Sequence, residues 1–191
     1  MSLKIFADLM SQPARAVAIF CRAADIKHQL IQVRITAGDT KTPEYTKINP
    51  FQKVPVIQDG DFALTESVAM LRYLAREKNV ADHWYPADSR AQARVDEYLE
   101  WQHLNTRFMC ASYFQHRWLI PMTTKKFDEK KVAGAEKMMV KCLDDFERVW
   151  LAGGDKAMFI NDVISERWRD SSKKKILLMM EIKGVENAIM M

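Results

Sequence analysis

The sequence predicts an α/β N-terminal domain with the element order βαβαββα, followed by an all-α C-terminal domain. Short apolar runs alternate with helical periodicity as far as Lys78, a connection rich in turn residues runs from Asn79 to Asp88, and long helical periodicity takes over beyond it. The expected domains are residues 1–80 and 88–191, the second diverging and shortened after about residue 160.

Leu3 to Ala7 is apolar and short, and reads as the first strand. Pro13 to Ala24 reads as a helix, because Val17, Phe20, Cys21 and Ala24 fall at the spacing of one buried face. Gln29 to Ile35 fits a second strand, and the polar stretch Thr36 to Thr46 an irregular helical crossover. Val54 to Gln58 and Phe62 to Thr65 flank the turn Asp59-Gly60-Asp61 as a hairpin. Glu66 to Lys78 closes the unit as a helix with Val68, Leu71 and Ala75 on one face. Further on, Ser89 is expected to cap a long helix with Trp101, Leu104, Phe108 and Ala111 in one stripe. A second long helix carries Val132, Ala135, Met139, Cys142, Phe146 and Val149.

Composition narrows the function classes. With 48% apolar residues, the chain can build a real core. The net charge of +4 divides evenly about Lys156, and no basic motif is interleaved with aromatics, so a nucleic-acid partner is not expected. Cys21, Cys110 and Cys142 are odd in number and far apart, which argues against a disulfide framework or zinc cluster and fits a reducing compartment. His28, His83, His103 and His116 show no ligand spacing, and no metal is expected. Lys4, Asp8 and Arg15 interrupt any signal-peptide core, and no apolar run approaches the ~20 residues of a membrane span. The expected location is the cytoplasm.

Ser11 lies in Asp8-Leu9-Met10-Ser11-Gln12-Pro13-Ala14-Arg15, at a strand-to-helix turn beside the unpaired N–H groups of a helix start. Such a place favours an anion, to which a hydroxyl can donate; a plain capping role is the alternative. Glu66 and Ser67 open another helix, where the serine hydroxyl and nearby N–H groups can receive a carboxylate, or serve only as a cap. Arg107 sits between Leu104 and Phe108 at the border of an apolar stripe, where it either meets a partner or snorkels to water.

These runs, with Lys53-Val54-Pro55, Asp59-Gly60-Asp61-Phe62, Leu64-Thr65-Glu66-Ser67, His83-Trp84-Tyr85-Pro86 and Ala93-Arg94-Val95-Asp96-Glu97-Tyr98-Leu99, resemble the theta-class glutathione transferases over about residues 3 to 160. The resemblance implies a thioredoxin-like first domain, glutathione as co-substrate without a metal, a small hydrophobic electrophile, and a homodimer. It implies that Ser11 is the hydroxyl beside the glutathione sulfur. A free thiol has a pKa of about 8.5, and lowering it by about two units takes roughly 2.7 kcal/mol. One hydrogen bond to a charged group contributes about 1.5 to 3 kcal/mol, so Ser11 with helix-start N–H groups is sufficient.

The resemblance further implies a cis Val54-Pro55 bond that turns the Val54 backbone toward the glutathione cysteine, an ordinary trans bond being the alternative. Glu66 and Ser67 then hold the γ-glutamyl ammonium and carboxylate. Lys41 and Lys53 reach the glycyl carboxylate unless they are simply solvated. Arg107 points to the thiolate or the electrophile, an alkyl halide, activated aromatic or hydroperoxide.

Two departures qualify the match. Thr40 stands where theta members often carry a glutathione-contacting histidine, so that contact is lost unless Lys41 replaces it. After Phe159-Ile160-Asn161, Ile164-Ser165-Glu166-Arg167-Trp168 places Trp168 where a capping acid belongs, and the tail Ser171 to Met191 matches nothing in the family. An altered or truncated transcript, or an erroneous gene model, is the expected origin. Lost helices would expose apolar surface, so lower stability than a full-length relative is expected. The alternative function is a catalytically weak glutathione-binding or interaction protein.

Overall fold

The computed structural model describes residues 2–151. The expected departures at Trp168 and in the tail from Ser171 lie outside those residues. The described chain falls into two units, one ending at Tyr85 and one beginning at Pro86.

In the first unit, β1 (Leu3–Ala7), β2 (His28–Gln32), β3 (Val56–Asp59) and β4 (Phe62–Leu64) form one sheet in the order β2-β1-β3-β4. β1 pairs in parallel with β2 and antiparallel with β3, and β3 antiparallel with β4. The intervening helices are α1 (Gln12–Ala23), α2 (Pro43–Ile48) and α3 (Ser67–Glu77), which completes the expected βαβαββα order of a thioredoxin-like domain. Alternation along β1 sorts the two faces. Leu3, Ile5 and Ala7 join Ala14, Val17 and Cys21 of α1, Ile57 of β3, and Met70 and Leu74 of α3 in one core. Phe6 points the other way, onto Val33, Tyr45 and Val56, beneath α2.

β2 is shorter than the expected Gln29 to Ile35, and the reason is local. Past Gln32 the backbone N–H of Arg34 donates to the Asp39 carboxylate at 2.9 Å, and that of Ile35 to the Asp8 carboxylate at 2.9 Å. Side chains there take the donors that a strand ladder would use. β3 likewise begins at Val56 rather than Val54, since Pro55 has no N–H to give a strand ladder.

The second unit begins with a continuous helical run: α4 (Ser89–Gln102), a π turn (His103–Arg107), α5 (Phe108–Phe114), another π turn (Gln115–Leu119) and α6 (Ile120–Thr124). The cap of α4 is Asp88, whose carboxylate accepts from the Ala91 N–H at 2.9 Å, one residue before the expected Ser89. Pro121 lacks an N–H, and its ring would crowd the carbonyl four residues back; the wider turn just before it relieves that conflict.

π turns also displace side chains. Each inserts a residue, so a stripe laid out at 3.6 residues per turn loses its face beyond it. Leu104 is 73% exposed and Phe108 56%, against the expectation of a buried stripe with Trp101. Along α7 (Glu129–Phe146), Val132, Ala135, Met139 and Cys142 are buried as their spacing predicts. After the π turn Glu147–Leu151 begins, Val149 is 40% exposed and Trp150 takes the inward place at 4%. Trp150 packs there with Tyr98 and Trp101, whose other neighbour is Phe146.

Candidate functional site

One end of the sheet gathers most of the residues singled out by sequence. The C-terminal ends of β1, β2 and β4 and the N-terminal end of β3 meet there, since Phe6 pairs with Val56 and Ile57 with Leu64. From that edge emerge the loop bearing Ser11, the segment leading to Lys41, the Lys53-Val54-Pro55 turn, and Glu66-Ser67.

Ser11 is the residue before α1, extended at φ −78 and ψ 117, and partly exposed. Its carbonyl accepts the first helical N–H, from Arg15 at 3.0 Å, but its hydroxyl does not cap the helix. The backbone therefore takes the cap position while Oγ stays available for a ligand. The loop before it is fixed from both sides. Asp8, 6% exposed, accepts the Met10 N–H at 2.9 Å, and Arg15 Nη1 donates to the Leu9 and Met10 carbonyls at 2.8 and 3.1 Å.

The Val54-Pro55 bond is cis, as the resemblance implied, with Pro55 buried. What holds this turn is the carbonyl of Lys53, which accepts from Tyr45 Oη and from Asn49 Nδ2, both at 2.7 Å. Asn49 Oδ1 in turn accepts the Phe51 N–H at 2.9 Å, so a single amide closes the loop at two points. Burial pushes the Tyr45 phenol up to about 12, keeping it protonated as a donor.

Glu66 precedes α3 with φ 64 and ψ 107, a backbone region costly for any side chain but glycine. Its carboxylate is exposed and does not cap the helix, whereas Ser67 begins α3 and is 5% exposed. Lys53 and Lys41 are exposed; Thr40, beside Lys41 in a short 3-10 turn, is buried at 7%. Thr40 thus presents little side chain to a ligand, while Lys41 is the exposed cation of the turn. Arg107 belongs to the second unit, partly buried at the end of its first π turn.

The sequence pattern gave Asp8, Arg15, Tyr45 and Asn49 no part in the site. The available signal was an acid directly closing an apolar strand, and an asparagine before Pro50 in a turn. Cys21 and Cys142 are buried, and burial raises both thiols, Cys21 to about 11, so neither is a ready nucleophile. Among the described residues no His, Cys, Asp or Glu cluster is arranged to hold a metal, and no helix is long and apolar enough to cross a membrane.

The chain is similar to known proteins in sequence and in fold. A family model for the glutathione S-transferase N-terminal domain matches residues 1–76. Residues 1–76 are a glutathione S-transferase N-terminal domain. The chain is 48% identical to glutathione S-transferase theta-1 of Bos taurus over 122 residues, 64% of this chain and 51% of that protein. It is 40% identical to glutathione S-transferase T1 of Arabidopsis thaliana over 157 residues, 82% of this chain and 64% of that protein. A human theta-class glutathione transferase, solved with the glutathione conjugate of 1-menaphthyl sulfate, superposes with a TM-score of 0.78 at 38% identity, covering 85% of this chain and 66% of that one. The chain thus resembles theta-class glutathione S-transferases, and spans about half the length of the mammalian relatives it matches.

Proposed function

We propose that this protein is a glutathione transferase. In this reading Ser11 donates to the glutathione sulfur and stabilises its thiolate, which attacks a small hydrophobic electrophile such as an alkyl halide, activated aromatic or hydroperoxide. The observation that carries the reading is the Ser11 hydroxyl, left out of the helix cap at the one sheet edge where the cis Val54-Pro55 turn and Glu66-Ser67 also emerge. The similar human structure holding a glutathione conjugate supports glutathione as co-substrate. The remaining roles follow the family resemblance and accord with the chemistry of each side chain. The Val54 backbone pairs with the cysteinyl residue of the tripeptide, in the manner of an added strand. Glu66 meets the γ-glutamyl ammonium, and Ser67 with the start of α3 its carboxylate. Lys41 and Lys53 face the glycyl carboxylate, Lys41 taking over the contact that Thr40 does not make. Arg107 serves the thiolate or electrophile from the helical domain. No metal enters the scheme.

The same reading takes residues 1–80 and 88–191 as the two domains, a homodimer as the working assembly, and detoxification as the physiological setting. A cytoplasmic location accords with Cys21, Cys110 and Cys142 being thiols rather than disulfides. The experiment is Ser11→Ala in the full chain. Turnover of 1-menaphthyl sulfate should fall by about 100-fold, the order of one lost hydrogen bond to a charged group, while glutathione binding persists. Unchanged turnover removes Ser11 from the mechanism. Saturable binding without turnover in either protein favours the alternative of a catalytically weak glutathione-binding protein.

A further inference from the structure

We propose that Asp8 is a positioning residue of the thiolate site, its buried carboxylate tying the loop that presents Ser11 to the segment that leads to Lys41. The inference rests on the Ser11 reading above and deepens it.

β1 ends at Ala7 and β2 at Gln32, so the two chains leave their ladder side by side. Beyond that point the Asp8 carboxylate replaces the ladder. One oxygen accepts the Met10 N–H and the other the Ile35 N–H, each at 2.9 Å, across 27 residues of sequence in the second case. The Asp8 carbonyl also accepts the Ser11 N–H at 2.9 Å, closing a tight turn directly before the proposed hydroxyl donor. The Ile35 side of the bridge is equally constrained. Its neighbour Arg34 gives its N–H and guanidinium to Asp39, which begins the 3-10 turn carrying Thr40 and Lys41. Two loops proposed to touch opposite parts of glutathione therefore share one buried anchor.

Sign separates positioning from simple electrostatics. A negative carboxylate under a thiolate site opposes the thiolate, so removing its charge alone would lower the bound thiol's pKa. Removing its grip on the loop moves Ser11 off the sulfur and raises it. Asp8→Asn keeps the size but offers one acceptor oxygen, and its NH2 faces a backbone N–H, so one tie is lost.

The test follows thiolate ultraviolet absorbance of bound glutathione against pH in the full-length wild type, Asp8→Asn, Ser11→Ala and the double variant. Asp8→Asn should raise the thiol pKa by about one unit, the size of a weakened hydrogen bond to charged sulfur, and add nothing in the Ser11→Ala background. Asp8→Ser, smaller and free of overpacking, carries the same expectation should the amide variant not fold. A lowered pKa, an unchanged pKa with only a lower melting temperature, or a shift that persists without Ser11 each overturns the proposal. An unchanged pKa in Ser11→Ala alone instead overturns the underlying reading, and so separates the two failures.

Discussion

Asn49 shows how a single buried amide can shape a binding edge. It is 1% exposed, and its amide closes its own loop at two points, with donation to the Lys53 carbonyl and acceptance from the Phe51 N–H. Tyr45 reaches the same Lys53 carbonyl, but from a helix that is independently packed. The two substitutions should therefore differ. Asn49→Ala leaves a buried N–H short of its acceptor and removes both closures, costing about 2 kcal/mol and weakening glutathione through the disordered Val54 edge. Tyr45→Phe leaves Lys53 its Asn49 partner and costs about 1 kcal/mol. Urea unfolding by tryptophan fluorescence, with glutathione titration of each variant, measures both; equal losses would show that the loop is held by something other than Asn49.

Between elements, the far end of the sheet is tied to α3 by charge. Asp59 at the end of β3 accepts from Tyr73 Oη at 3.0 Å and pairs with Lys78 just past α3, while Tyr73 packs on Phe62 of β4 with centroids 5.1 Å apart. The Lys78 hydrogen bond is the main cause holding the Asp59 carboxyl below the usual carboxylate range. A carboxyl depressed in the folded state contributes stability that is complete above its unfolded pKa and lost as pH falls through its folded one. Asp59→Asn should thus cost about 1 kcal/mol at neutral pH and progressively less on acidification below about pH 4, the side chains being only partly buried. Denaturation midpoints measured from neutral to acid pH check this, and a difference constant across the range would assign the loss to packing. The same scale explains what sequence could and could not foretell. Where the helical period runs undisturbed, as from Val132 to Cys142, the buried face is the expected one. At each π turn the backbone adds a residue that no side-chain pattern announces, and Val149 yields its place to Trp150. The site divides in the same way. Ser11, Val54-Pro55 and Glu66-Ser67 stand out because their residue types and order form motifs. Asp8, Tyr45 and Asn49 act on backbone groups at irregular separations, from two residues to 27, and such pairings leave no periodic trace.

For the whole molecule, the two units differ in what a ligand can reach through the proposed contacts. Ser11, Lys41, Lys53, Val54, Glu66 and Ser67 all belong to the first unit. A ligand that binds only the folded state stabilises it by about 2.7 kcal/mol at a hundredfold excess over its Kd. Local openings of the segments it touches are suppressed by a comparable amount, whereas segments that open independently are not. Hydrogen exchange of the full chain with saturating glutathione should therefore slow at residues 9–11, 33–41, 49–54 and 66–70, and stay unchanged along the Val132 to Cys142 face of α7. Protection confined to 89–124 would move the glutathione site into the helical unit. Equal protection throughout both units would instead mean that they open as one cooperative body, so that a ligand held by the first stabilises the second without touching it.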